Sequence, residues 1–267
     1  MVSIAFVSGK GGTGKTLVAV NLSILLSTRR KVLLIDADVK GGSSASHLLG
    51  LGGIGPTLKD LLLGDSVYDW DDAVHRSGNL DFIPTGADLE LIWRNVEWNK
   101  LASVVRKMRS YNYVFFDGPA QFEEGFMGVM QVAEYYVIVL TPTPGGIESA
   151  MKIRFIGRKI GTKPLGFILN QPNVSFRNAS EVARLIEKRM YIPSLAPEHN
   201  DCRCLGILPH DKAEFISRVR GKPIVIFDPR SKLSRALHQI ALRIEGKPAT
   251  EKSLFSRISG LFSRKEA

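Results

Sequence analysis

The stretch Ile4-Ala5-Phe6-Val7-Ser8-Gly9-Lys10-Gly11-Gly12-Thr13-Gly14-Lys15-Thr16-Leu17-Val18 decides the fold. Its first part is apolar and reads as a buried strand. Its last part continues through Val20, Leu22 and Leu25 with the spacing of a helix. Between them, Gly9 to Thr16 satisfies G-x-x-x-x-G-K-[ST]. Glycines here let successive backbone N–H groups converge on an oxyanion, at a helix N-terminus whose dipole favours negative charge. The residues Gly9, Lys10, Gly11, Gly12, Thr13, Gly14, Lys15 and Thr16 therefore read as a phosphate cradle. Lys15 is placed to neutralise the β- and γ-phosphates of a nucleotide, and the Thr16 hydroxyl to ligate Mg²⁺.

Working outward, short apolar runs alternate with amphipathic stretches. Residues Ile4–Ser8, Lys31–Asp36, Leu80–Pro84, Tyr113–Asp117, Tyr136–Thr141, Leu165–Asn170 and Cys204–Leu208 read as strands. Helical patterns cover Lys15–Ser27, Asp88–Ser110, Ile147–Ile160, Ala179–Lys188 and Ser231–Ile244. Several strands are apolar nearly throughout, as strands covered on both faces must be. The alternation predicts an α/β fold with a doubly wound, mostly parallel sheet, whose ligand sits at the carboxyl ends of the strands.

Two of the predicted strands end in acids. Leu33-Leu34-Ile35-Asp36-Ala37-Asp38 carries two carboxylates to the edge where the phosphate loop lies, and Val114-Phe115-Phe116-Asp117-Gly118-Pro119-Ala120 carries a third. Acids converging beside a phosphate loop suit Mg²⁺ binding and the positioning of an attacking water.

With Lys10 in the second position, Lys-Gly-Gly-Thr-Gly-Lys-Thr resembles the deviant Walker A motif of the MinD/ParA family, and the resemblance covers roughly residues 2–245, closer to MinD. It implies a P-loop ATPase that uses ATP and Mg²⁺ and works as a homodimer. It implies that Lys10 reaches the partner's nucleotide and, with Lys15, supports catalysis. Asp38 would orient the water, Asp36 would lie near the Mg²⁺ shell, and Asp117 would hold the ion as Walker B. Asn170, at a strand end, resembles the adenine contact, and Leu208-Pro209-His210-Asp211 resembles the loop that packs on the base. Gln121 stands where the family usually has glycine, while Glu123 is retained. After Asp38, the segment Val39-Lys40-Gly41-Gly42-Ser43-Ser44 matches neither branch of the family cleanly.

The chain has 267 residues, 44% hydrophobic, enough for one large core. Two cysteines, Cys202 and Cys204, fit a reducing compartment and form no zinc pattern. The first residues lack a signal peptide's basic region and cleavage site, so a cytoplasmic protein is expected. Charge is uneven. Residues 1–150 hold 13 Lys/Arg and 16 Asp/Glu, whereas residues 151–267 hold 23 and 10. A basic C-terminal half suits a polyanionic surface, either lipid or DNA.

The sequence divides into a P-loop domain over 1–246, a linker over 247–250 and a tail over 251–267. In the tail, Leu254, Phe255, Ile258, Leu261 and Phe262 form one helical stripe, with Lys252, Arg257, Arg264 and Lys265 beside it. This amphipathic helix resembles the membrane-targeting helix of MinD proteins and would lay its apolar face into an anionic membrane. The expected protein is a MinD-like ATPase on the cytoplasmic face of the membrane, positioning a cargo such as the division machinery. The alternative is a ParA-like partition ATPase that binds DNA non-specifically.

Overall fold

The computed structural model describes residues 1–39, 44–51, 55–86, 96–171, 176–192 and 202–246. The linker over 247–250 and the tail over 251–267, with the apolar stripe expected there, lie outside these residues.

In chain order the elements are β1 (Val2–Val7), α1 (Lys15–Ser27), β2 (Val32–Asp36), α2 (Ser44–Leu48), α3 (Leu58–Leu62), β3 (His75–Ser77), β4 (Leu80–Ile83), α4 (Leu101–Lys107) and β5 (Tyr113–Asp117). There follow α5 (Glu124–Val132), β6 (Tyr135–Leu140), α6 (Pro144–Ile160), β7 (Lys163–Asn170), α7 (Phe176–Met190), β8 (Cys204–Leu208), α8 (Lys212–Val219), α9 (Ile224–Phe227) and α10 (Lys232–Ile244). The strands form one eight-stranded sheet in the order β3-β4-β2-β5-β1-β6-β7-β8. Every pairing is parallel except β3 with β4. The doubly wound α/β fold expected from the alternation is the fold observed.

Strand order places the chemistry. After β1 the chain leaves for β2 and β4 on one side, β5 returns beside β1, and β6 to β8 extend the other side. The strand order thus reverses around β1, where a doubly wound sheet opens a ligand crevice. Phe6 pairs with Asp117, and Asp36 also pairs with Asp117. Three adjacent strand ends are held level, since the Ala37 N–H donates to the Asp117 carbonyl at 2.9 Å and the Gly118 N–H to the Phe6 carbonyl at 3.1 Å.

Each sheet face has its own core. One is built on Val7, Phe116, Ile138 and Leu169 and is covered by residues of α3 to α7. The other is built on Phe6, Leu34, Val139 and Ile168 and is covered by α1, α2, α9 and α10. Helix α1 is buried on nearly all sides, which explains why its sequence is apolar all round rather than striped. Its buried Asn21 is satisfied, because Nδ2 donates to the Leu17 carbonyl and Oδ1 accepts the Val225 N–H.

The helix expected over Asp88–Ser110 is shorter. Residues 87–95 lie outside the described set, a 3₁₀ turn spans Trp98–Lys100, and α4 runs only over Leu101–Lys107. The Trp98 ring packs into the α5 groove at Gly128, where an added Cβ would sit 2.9 Å from Trp98 Cε3. Helices α2, α3, α5, α8 and α9 and strand β3 were not foreseen. Each is short or bounded by residues whose apolar spacing is too brief to show a period.

Candidate active site

The phosphate loop follows β1 and wraps the start of α1. Gly12 and Gly14 take φ of 75° and 86°, the left-handed region open to glycine. Gly14 occupies the N-cap of α1 and offers no side chain to the helix's free N–H groups. Those groups remain turned toward the cleft, and an anion is the natural cap. The cleft, about 670 Å³, is lined by residues 10–17 together with Ser8, Asp38, Ser44, His47, Leu48, Ala120, Asn170, Gln171, Glu214 and Arg218.

Lys15 is buried, and its Nζ donates to Asp117 Oδ1 at 3.4 Å. Asp36 lies one strand further out and is 1% exposed. Its Oδ1 accepts the Asp38 N–H at 3.3 Å, while its Oδ2 is buried with no hydrogen-bond partner. Burial raises the Asp36 carboxyl well above the usual carboxylate range, the charges of Asp117 and Asp38 add to this, and Lys15 opposes it. Such a group lacks a cation. Thr13 Oγ1 is likewise buried and unpartnered beside the loop. Orphaned oxygens, a buried lysine and free helix N–H groups fit ATP with Mg²⁺, whose phosphates and charge would satisfy all of them. Thr16, Asp36 and Asp117 are the residues that would hold the ion, which would supply charge neutralisation to the phosphate oxygens.

Asp38 lines the cleft as expected. Lys10 is exposed at the rim, and its amine lies against Gly145 at the start of α6, where it also contributes to holding the Glu148 carboxyl down behind the larger effect of Lys152. Asn170 lines the cleft, but its Nδ2 is committed to the Thr13 carbonyl at 2.7 Å, tying β7 to the phosphate loop. Its buried Oδ1 has no partner, so the acceptor is what remains for a base amino group. Pro209 follows β8 and is not among the lining residues. Asp211 is structural: it caps α8 by accepting the Ala213 N–H at 3.0 Å and reaches the Leu233 N–H at 3.4 Å. Glu123 takes the N-cap position of α5, and Phe122 before it packs edge-on to Phe126 at 5.2 Å.

Sequence reasoning missed Ser44, His47, Gln171, Glu214 and Arg218. They come from three separate segments that only the fold assembles. Gln171 alone carries a local signal, as the described non-glycine residue with positive φ, 46°.

Cys204 sits on the half-buried edge strand, and burial pushes its thiol up to about 11, so a metal-binding thiolate is disfavoured. Among the described residues no helix is long and apolar enough to cross a membrane.

The family model described as "ParA: NUBPL iron-transfer P-loop NTPase" matches residues 2–245. Over 274 residues, 99% of this chain and 98% of the relative, the sequence is 29% identical to an uncharacterized ATP-binding protein of Methanocaldococcus jannaschii. It is 29% identical over 249 residues, 91% of the chain and 89% of the relative, to the septum site-determining protein MinD of Synechocystis. In three dimensions it is similar to MinD of Pyrococcus horikoshii complexed with Mg-ADP, with TM-score 0.77, 29% identity and coverage of 91% and 96% of the two chains. The cell division ATPase MinD of Pyrococcus furiosus is alike at TM-score 0.77 and 30% identity, covering 92% and 98%. A loop that offers free N–H groups to phosphates, a buried lysine, a carboxylate awaiting a cation, and these likenesses agree, and the chain belongs to the MinD/ParA family of P-loop ATPases, on the MinD side.

Proposed function

We propose that this ATPase is a nucleotide-gated membrane switch of the MinD kind. Thr16, Asp36 and Asp117 bind Mg²⁺, Lys15 and the loop residues Gly9 to Thr16 hold the phosphates of ATP, and Asp38 orients the attacking water. Asn170, Glu123 and Pro209 complete the nucleotide's surroundings. Two copies close face to face on ATP, and Lys10 leaves its own α6 to reach the partner's phosphates, so hydrolysis needs the dimer. The dimer then presents two tails, and Leu254, Phe255, Ile258, Leu261 and Phe262 hold it to an anionic membrane. One short tail binds weakly, whereas a linked pair gains roughly 10²–10⁴ in avidity. Hydrolysis opens the dimer and releases it, and a cargo or activator protein rides on the cycle. A solved complex of MinC with MinD from Aquifex aeolicus illustrates such a partner for that relative.

The observation that carries this reading is Lys10, exposed at the cleft mouth rather than folded onto its own phosphate loop. The test is sedimentation with anionic liposomes in ATP or ADP, for the full chain and a chain ending at Gly246. ATP-dependent pelleting that disappears with the tail is the expected result. Pelleting equal in ATP and ADP would refute the switch. The second reading, DNA partition, draws on the 23 Lys/Arg of residues 151–267. It predicts steeply salt-dependent DNA binding without liposome binding.

A further inference from the structure

Helix α8 turns an apolar face outward. Phe215, Ile216 and Val219 are 62%, 47% and 64% exposed, at positions i, i+1 and i+4 of one helix. Single exposed apolar residues need no explanation, but three contiguous ones on an eight-residue helix form a patch. Basic residues surround it: Lys212, Arg218, Arg220 and Lys222 are all exposed. The guanidinium of Arg218 lies 6.0 Å from the Phe215 ring, and that of Arg220 lies 5.6 Å from Phe227.

The helix is rigidly seated. Asp211 caps it, and Ser217 Oγ donates to the Lys222 carbonyl at 2.6 Å. The corner after it is wedged against the segment following β2, because Gly221 approaches the His47 carbonyl so closely that an added Cβ would lie 2.8 Å away. Glu214 and Arg218, paired at 3.5 Å along the helix, line the nucleotide cleft beside the patch. The patch is therefore preformed and adjoins both the nucleotide and the segment after Asp38.

Its position also matters. Ala213 of α8 packs into the same core layer as α1, α9 and α10. Helix α10 ends at Ile244, and its neighbour Glu245 pairs with Arg29 and Arg30 beyond the end of α1. The chain thus leaves toward residues 247–267 from the same layer, at the end of α1 away from the phosphate loop, whereas α8 lies at the cleft.

We propose that α8 is a second lipid-contacting element, with Phe215, Ile216 and Val219 entering the headgroup–acyl boundary of an anionic bilayer and Lys212, Arg220 and Lys222 facing its headgroups. Apolar side chains flanked by cations complement such a surface in both respects. Duplex DNA held non-specifically through its phosphates buries little apolar surface, so three exposed apolar side chains suit a bilayer better. A second copy meeting this face across a two-fold axis would oppose its cations to one another. The chemistry stands on α8 alone, and its use in a cycle rests on the membrane-switch reading above.

The experiment uses the full chain with ATP and Mg²⁺ on vesicles of phosphatidylglycerol in phosphatidylcholine. The triple variant Phe215→Ser, Ile216→Ser, Val219→Ser is compared with wild type, and binding of a fluorescent ATP analogue confirms that it is folded. Vesicle affinity is expected to fall roughly tenfold or more. A nitrobenzoxadiazole label on Val219→Cys is expected to shift to the blue when vesicles are added. Equal affinity of variant and wild type, with an unshifted label, overturns the proposal. If the chain ending at Gly246 loses binding while the triple variant keeps it, the tail reading stands and α8 falls alone. A triple variant that weakens an ATP-dependent dimer without changing vesicle affinity assigns the patch to a second copy and also overturns it.

Discussion

Asp36 is the residue where the site's chemistry and its stability conflict. Its buried carboxyl has one oxygen without a hydrogen-bond partner and two acidic neighbours, an arrangement that disfavours its ionised form. Asp36→Asn is expected to raise the melting temperature of the nucleotide-free protein by about 2–4 °C per kcal/mol recovered. The same change is expected to weaken Mg²⁺-dependent ATP hydrolysis by an order of magnitude or more. Calorimetry without nucleotide checks the first effect, and a lower melting temperature would contradict it. The places of Lys15 and Asp36 were legible in the motif and the strand end, because each follows from local spacing. The bond from Asn170 to the Thr13 carbonyl was not, since it joins residues 157 positions apart.

Among the elements, α5 and the turn before α4 depend on one close fit. Trp98 fills the space over Gly128, and an added Cβ there would meet Trp98 Cε3 at 2.9 Å and its Cβ at 3.0 Å. Gly128→Ala is expected to destabilise the protein by about 1–3 kcal/mol through overpacking, read by chemical denaturation. An unchanged denaturation midpoint would show that the Trp98 ring yields. On the other face, His238 of α10 is buried, and burial, helped by the Arg29 charge, lowers its pKa below the ordinary histidine value. The unfolded chain then takes up the proton first as pH falls. Stability is expected to be full above about pH 6.5 and to decline as pH drops through the depressed folded pKa. His238→Gln should flatten that slope, and an unaltered slope would assign it to other groups.

For the whole molecule, the central question is whether two copies close on ATP. Lys10 rests on its own α6, and the proposed closed dimer would require it to cross to the partner. Lys10→Ala is expected to bind ATP within a few-fold of wild type, because Lys15 still holds the phosphates. It should stay monomeric in ATP and lose the proposed liposome pelleting, as read by light scattering and sedimentation. An ATP-dependent dimer of this variant would place the cross-subunit contact elsewhere.

The sequence by itself determined the sheet's parallel character, the phosphate loop and the strand-ending acids. Each is written in contiguous residues: apolar runs for strands covered on both faces, glycines where backbone must approach phosphate, acids where strands emerge. The stripe of Leu254 to Phe262 is legible in the same way, as a period in the sequence. Only the tertiary structure decided the rest. Strand order brought Asp36 level with Asp117, burial left the Asp36 oxygen wanting a cation, and distant segments supplied His47, Gln171, Glu214 and Arg218 to the cleft. The exposed face of α8 belongs to this second group. Nothing in the sequence marks Phe215, Ile216 and Val219 as exposed, and only the packing of Ala213 and Ser217 inward turns them toward solvent. Local periodicity records that a helix has an apolar face, whereas what covers that face depends on contacts between residues far apart in the chain.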